Sequence, residues 1–285
     1  MKTQDQLIDD LLTLAFAEDI GDGDATTLST IPTEATGRQA LIIKEEGILA
    51  GVEIARRVFE KFDPTMQMSV SIGDGSHVKP GDVAFVVDGK VRSLLQTERV
   101  MLNIMQRMSG IATVTARYQQ ELAGLKTKVL DTRKTTPGLR VLEKMAIKIG
   151  GGANHRMGLY DMILIKDNHN DFAGGIANSV AAAKQWCKAN GKDLRIEVET
   201  RDTAEILQAL DAGVDRIMLD NFTPARTAEA VQLIRSRNSG VEIESSGGIT
   251  LETLRAYGEA GVDFISVGAL THSVKGLDMS FKHVD

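Results

Sequence analysis

The chain has 285 residues, 42% hydrophobic and 25% charged, with a formal net charge of −6. That is ordinary globular composition, enough for one large core or for a barrel plus a smaller domain. An acidic balance with 4% aromatic residues excludes a nucleic-acid groove, and no apolar run reaches the ~18 residues of a membrane span.

Cys187 is the only cysteine, so neither an intrachain disulfide nor a thiolate metal cluster can form, which suits a cytoplasmic location. The opening MKTQDQLIDDLL is acidic and amphipathic and lacks the basic start and apolar core of a secretory signal.

Residues 4–17 carry Leu7, Ile8, Leu11, Leu12 and Ala15 at helical spacing. The Asp-rich run Glu18–Asp24 resembles a calcium loop. It lacks an acid at the third position and a Glu at the twelfth, so it reads as a turn before a strand. Short strands are predicted at 39–46, 66–72, 82–87 and 90–92, and helices at 51–62 and 93–122, where Met101, Met105 and Met108 fill a core. This mixture predicts an α+β sandwich domain over residues 1–112, with the tail 272–285 packing back on it.

From residue 127 strands and helices alternate. Apolar strands are predicted at 127–131, 162–166, 194–199, 215–220, 241–245 and 263–268, and helices at 139–148, 173–190, 202–212, 224–236 and 250–260. Such alternation implies right-handed crossovers and parallel strands. Short strands with almost no polar interior point to an irregular, incomplete parallel α/β barrel of six strands over residues 113–271. Each strand ends in chemistry: Asp131, Lys166, Glu199, Asp220, Ser245-Ser246 and Gly268. The C-terminal rim is where such barrels build their sites.

Between Asp131 and His169 lie seven Lys or Arg against four Asp or Glu, a net +3 in an acidic protein. Thr132, Arg133, Lys134, His155, Arg156 and Lys166 sit beside glycines, prolines and strand ends rather than on a helix face. Such a cluster fits a compact polyanion, Arg as a bidentate fork and Lys as a point charge. Arg140, Lys144 and Lys148 recur along one helix face and read as surface charge. Ser246-Gly247-Gly248 and Val267-Gly268-Ala269 follow the last two strands, the usual phosphate position in such barrels, although plain turns use the same residues. Glu199 and Asp220 end neighbouring strands and suit a divalent metal, sugar hydroxyls or a developing cation; helix capping is the alternative. Glu197 falls on the same side as Glu199, and that crowding calls for a nearby cation. His272 is a weaker candidate, and His77, His169 and His283 carry no role.

The runs LDTRKTTPGLR, GGGANHRMGLYDMILIKDNH, IEVE, IMLDNF, IESSGGI and GVDFISVGALTHS, with EDIGDGDATT and TERVMLNIMQRMSGIAT, resemble quinolinate phosphoribosyltransferase across most of residues 18–280. Lys148 and Ile149 stand where that family commonly has Arg and Cys. The resemblance implies transfer of phosphoribose from 5-phosphoribosyl-1-pyrophosphate (PRPP) to quinolinate, with Mg²⁺ and loss of CO₂. It implies that Arg133, His155, Arg156 and Lys166 surround the substrate charges, with His155 able to add a proton and Lys134 near the reacting atoms. By the same resemblance Glu199 and Asp220 hold the ribose hydroxyls, directly or through Mg²⁺, and the two glycine loops take the 5′-phosphate. Arg99 matches an arginine that enters the partner subunit's site, which implies a homodimer with shared sites and leaves a hexamer open. A related enzyme for another base and a non-catalytic sugar-phosphate barrel are the rival readings.

Overall fold

The computed structural model describes residues 2–285. The first helix, α1 (Gln4–Asp19), starts where Thr3 and Gln6 satisfy each other's backbone N–H groups in a capping box. Asp24 caps α2 (Ala25–Thr30) by accepting from the Thr27 N–H at 3.0 Å. The Asp-rich run therefore opens a helix, not a strand. There follow β1 (Thr36–Ile43), β2 (Gly47–Ile48), α3 (Val52–Phe62), β3 (Gln67–Val70), β4 (His77–Val78), β5 (Val83–Lys90) and α4 (Val91–Glu121). Residues 90–92 are not a further strand: β5 ends at Lys90 and α4 begins directly. The two-residue pair β2 and β4 is too short to leave any alternation in the sequence.

The chain continues through β6 (Lys128–Leu130), α5 (Arg140–Ile149), β7 (Ile163–Ile165), α6 (Asp167–Ala173), α7 (Ile176–Ala189), β8 (Ile196–Thr200), α8 (Thr203–Ala212) and β9 (Arg216–Asp220). Then come α9 (Pro224–Arg237), β10 (Glu242–Ser246), α10 (Leu251–Glu259), β11 (Phe264–Ser266), α11 (Ala269–His272) and β12 (Met279–His283). The helix expected over 173–190 is α7, which starts after Gly174 and Gly175, both at positive φ, separate it from the unexpected short helix α6.

Two units are distinct. One comprises the residues up to Ala116 together with Thr135–Gly151 and Ala269–Asp285. Its antiparallel sheet runs β12-β1-β5-β3, so the C-terminal strand pairs with β1. Phe59, Phe85 and Phe281 meet with centroids 6.0–6.2 Å apart, and Met101, Met105 and Met108 are buried. Helix α5 clusters with this unit, although a boundary at 112/113 assigns it to the barrel. Lys144 on α5 is 3% exposed, so the surface-charge reading fails there: an amphipathic period alone does not say which face is covered.

The other unit comprises Arg117–Lys134 and Gly152–Gly268. Its six strands are all parallel, in the order β6-β11-β10-β9-β8-β7. Among the described residues no ladder joins β6 to β7. Instead Ala153 forms a single parallel bridge with Leu130. One sheet face is apolar and fully buried at Val198, Ile217, Leu219, Ile243 and Ile265. Alternation puts Glu197, Glu199, Arg216, Met218, Asp220, Glu242, Glu244 and Ser246 on the other, with Arg216 in register between Glu197 and Glu242. The expected near-absence of interior polar residues is thus wrong: Arg216 pairs with Glu242 and Glu244, and Lys166 with Glu199, which lets this face carry charge. Among the described residues no helix is long and apolar enough to cross a membrane.

Candidate active site

The C-terminal ends of β6 to β11 carry the predicted residues of the parallel unit. Asp131, fully buried at the end of β6, accepts from the Asn154 amide at 2.5 Å and the His155 N–H at 2.9 Å. Ala153 donates to Val129 and accepts from Asp131. Asp131 therefore ties the GGGANHR segment to β6, which places His155 and Arg156 beside Thr132, Arg133 and Lys134. Thr132 Oγ1 accepts from the Lys134 N–H at 3.0 Å and shapes that turn.

Arg156 donates to the Met162 carbonyl at 3.3 Å. Burial first, and then the positive charge of Arg133, push its guanidinium below the usual arginine value. Two cations that repel each other at a half-buried rim are the electrostatic mark of a site for an anion.

Lys166 ends β7 and its Nζ lies 2.9 Å from Glu199 Oε2 on β8. Its backbone N–H donates to His169 Nδ1 at 2.9 Å, so His169, read as without a role, helps to start α6. Asp220 ends β9. Burial, and next the charge of Glu199, raise its carboxyl above the ordinary range, while a 2.7 Å hydrogen bond from the Asn221 amide opposes them. Two carboxylates on neighbouring strands offer the hard oxygen donors that Mg²⁺ prefers.

Asn221, at φ +56°, is the only non-glycine residue with positive φ among the described residues. Its N–H donates to the Ser246 carbonyl at 2.9 Å. Gly247 (φ +102°) packs on it so closely that a Cβ would lie 2.2 Å from the Asn221 side-chain oxygen. Gly248 follows at φ +60°, in open space. Such backbone, leading into α10, exposes N–H groups to an anion. In the last loop Val267 donates to the Leu130 carbonyl at 3.0 Å, Gly268 follows, and Ala269 opens α11.

Below this rim the structure shows a cluster of which sequence reasoning had singled out only His155 and Glu197. His155 Nε2 lies 3.0 Å from Glu197 Oε2 and 3.5 Å from Glu244 Oε2, aligned squarely with neither. Arg216 Nη1 is 3.2 Å from Glu244 and 3.9 Å from Glu197. The other edge of the guanidinium meets Glu242 at 2.7 Å, and the group stands 4.5 Å above the Phe264 ring. Burial raises Glu197 to about 7; burial and the charge of Glu197 raise Glu244 to about 8. The alternation of VEIES and the inward Arg of DRIMLD were the available signals for Glu244 and Arg216. Arg99 lies in the other unit, exposed on α4.

Comparisons with known proteins agree over nearly the whole chain. The family models described as quinolinate phosphoribosyl transferase, N-terminal domain and C-terminal domain, match residues 24–109 and 111–282. A quinolinate phosphoribosyltransferase (decarboxylating) of Nicotiana glauca is 45% identical, the match covering 95% of this chain and 81% of that one. A probable nicotinate-nucleotide pyrophosphorylase (carboxylating) of Synechocystis is 43% identical, covering 98% and 93%. Among solved structures, NadC from Streptococcus pyogenes superposes with a TM-score of 0.91 at 39% identity, covering 100% and 99%. Human nicotinic acid phosphoribosyltransferase, at 13% identity and a TM-score of 0.61, shares the fold alone.

Proposed function

Because the chain belongs to the quinolinate phosphoribosyltransferase family, we propose that the rim of the parallel unit is its active site, working in NAD biosynthesis. Phosphoribose passes from PRPP to the ring nitrogen of quinolinate, giving nicotinate mononucleotide, pyrophosphate and CO₂. The crowding of Arg156 by Arg133 carries this assignment: a dianionic base relieves it, whereas a monocarboxylate leaves a cation over.

Arg133, Arg156 and Lys166 receive the carboxylates and pyrophosphate, with His155 at the wall and Thr132 shaping the turn that presents Lys134. Lys134 lies beside the reacting atoms and favours departure of pyrophosphate. The C1′–O bond breaks as the N–C1′ bond forms, and the 2-carboxylate leaves as CO₂, its carbon then taking a proton. Glu199 and Asp220 hold the ribose hydroxyls and offset positive charge developing at C1′. Both fit Mg²⁺ by their donor chemistry; bound there, the ion would neutralise the leaving pyrophosphate. Ser246, Gly247, Gly248, Val267, Gly268 and Ala269 receive the 5′-phosphate through backbone N–H groups. No covalent nucleophile takes part; positioning and electrostatics lower the barrier.

We assign Arg99 to the site of a partner subunit, in a homodimer with shared sites that leaves higher assembly open. Its exposed place on the unit without the glycine loops supports this. The single, buried cysteine supports a cytoplasmic location.

Pyrophosphate release, measured with quinolinate, with nicotinate and without base, tests the assignment. Release should require quinolinate. Nicotinate should be poorer in kcat/KM by about 30-fold or more, since an unpaired charged partner costs ~2–5 kcal/mol. Arg133→Ala should harm quinolinate use far more than residual nicotinate use. Comparable kcat/KM for the two bases in the wild type would overturn the assignment.

A further inference from the structure

We propose that Glu244 is a positioning residue: with Glu197 it fixes His155 in the tautomer protonated at Nε2, and through Nδ1 it sets the backbone of Arg156. The kinetic consequence rests on the function assigned above; the tautomer does not.

The argument begins at one hydrogen bond. The Arg156 backbone N–H donates to His155 Nδ1 at 2.7 Å. A backbone amide can only donate, so Nδ1 must present its lone pair, and the one ring proton resides on Nε2. That side of the ring faces the two carboxylates, at 3.0 and 3.5 Å. With Nδ1 taken, only an Nε2–H can face them, and their place is held because Arg216 bonds Glu244 at 3.2 Å and lies 3.9 Å from Glu197, while Glu242 and the Phe264 ring hold Arg216. Each nitrogen of His155 is thereby committed within the parallel unit.

The ligand atoms of His155, Glu197 and Glu244 lie within 4.8 Å of one another, a spacing that also suits a metal ion. The Arg216 guanidinium, 3.2 Å from Glu244 and 3.9 Å from Glu197, already brings a positive charge to this cluster, so we assign it as an ion-pair cluster rather than a metal site. It follows that His155 is not one of the cations that meet the dianion. It is the pedestal of Arg156, whose guanidinium, anchored on the Met162 carbonyl, faces the repulsion of Arg133. A Glu244 variant should therefore disturb recognition of quinolinate and leave the phosphoribosyl donor alone.

Two measurements test this. In the ligand-free full-length protein labelled with ¹⁵N-histidine, the His155 signals are those lost in His155→Asn. At neutral pH they should show a protonated Nε2 and a bare Nδ1. A proton on Nδ1, or on both nitrogens, overturns the proposal whatever the enzyme does. In steady-state assays Glu244→Leu should raise KM for quinolinate about 10-fold, as the ring that sets the Arg156 backbone loses one of its two carboxylate neighbours. KM for the phosphoribosyl donor should stay within about 2-fold, a shift of less than half a kcal/mol. Glu244→Gln keeps an acceptor oxygen in the same place and should restore both the kinetics and the ring signals. Equal rises in both KM values, or a Gln variant as impaired as Leu, would reduce Glu244 to a structural role. Absence of any quinolinate turnover in the wild type would instead refute the assigned function and leave the ring signals to decide the tautomer.

Discussion

Glu199 and Asp220 show how one residue type does different work at neighbouring positions. Glu197, two residues before Glu199 on the same face, is fully buried and tied into the Arg216 network, whereas Glu199 meets Lys166 at the rim. Glu199 and Asp220 stand at strand ends on the rim, whereas Glu197 is held below it. Glu199→Gln and Asp220→Asn should each lower kcat by about 10²–10³ with little change in KM for quinolinate, because the interaction they supply grows as charge develops at the sugar. Steady-state kinetics decide it, and an unchanged kcat in both variants would leave them as strand-end acids. The like-charge crowding at Glu197 and Glu199 could be read from IEVE alone. Its solution could not, since the compensating Lys166 and Arg216 come from two different strands, and only the register fixes which cation faces which acid.

At the level of elements, the loop after β10 makes the sharpest demand. Gly247 needs φ +102° and touches Asn221, whereas Gly248, at φ +60°, borders open space. Gly247→Ala should raise KM for the phosphoribosyl donor by about 10-fold or more, from strain of ~1–3 kcal/mol plus displacement of Asn221. Gly248→Ala should do less harm, and quinolinate KM should move little in either; the reverse ranking would count against a phosphate role for this turn. The glycines were conspicuous in the sequence, but turn chemistry uses the same residues, and only the contact with Asn221 separates the two. The alternation of strands and helices after residue 127 was equally plain. The short helix α6 before Gly174-Gly175 and the α5 assignment were not, because seven residues leave little periodicity and α5 carries the same periodicity whichever unit it covers.

For the whole molecule, the two units divide the assigned machinery, with Arg99 on one and the anion-binding rim on the other. If Arg99 serves a partner's site, Arg99→Ala and Lys134→Ala chains, each inactive alone, should regain activity when mixed. Random exchange should yield about a quarter of wild-type activity per site, in keeping with a two-fold assembly. Exchange proven by mass difference with no recovery would return Arg99 to its own chain. The network around Arg216 also bears on how the parallel sheet finds its pairing. Ile217, Met218 and Leu219 are all apolar, so by greasiness alone β9 could dock one residue out of step with β8 and β10 almost as well. Such a slip turns every side chain over. It would push Arg216 into the oily layer and strand Glu197 and Glu244 without a counter-charge, at several kcal/mol. The ion cluster thus acts as a proofreader during folding, rejecting mispaired strands that the hydrophobic residues would accept.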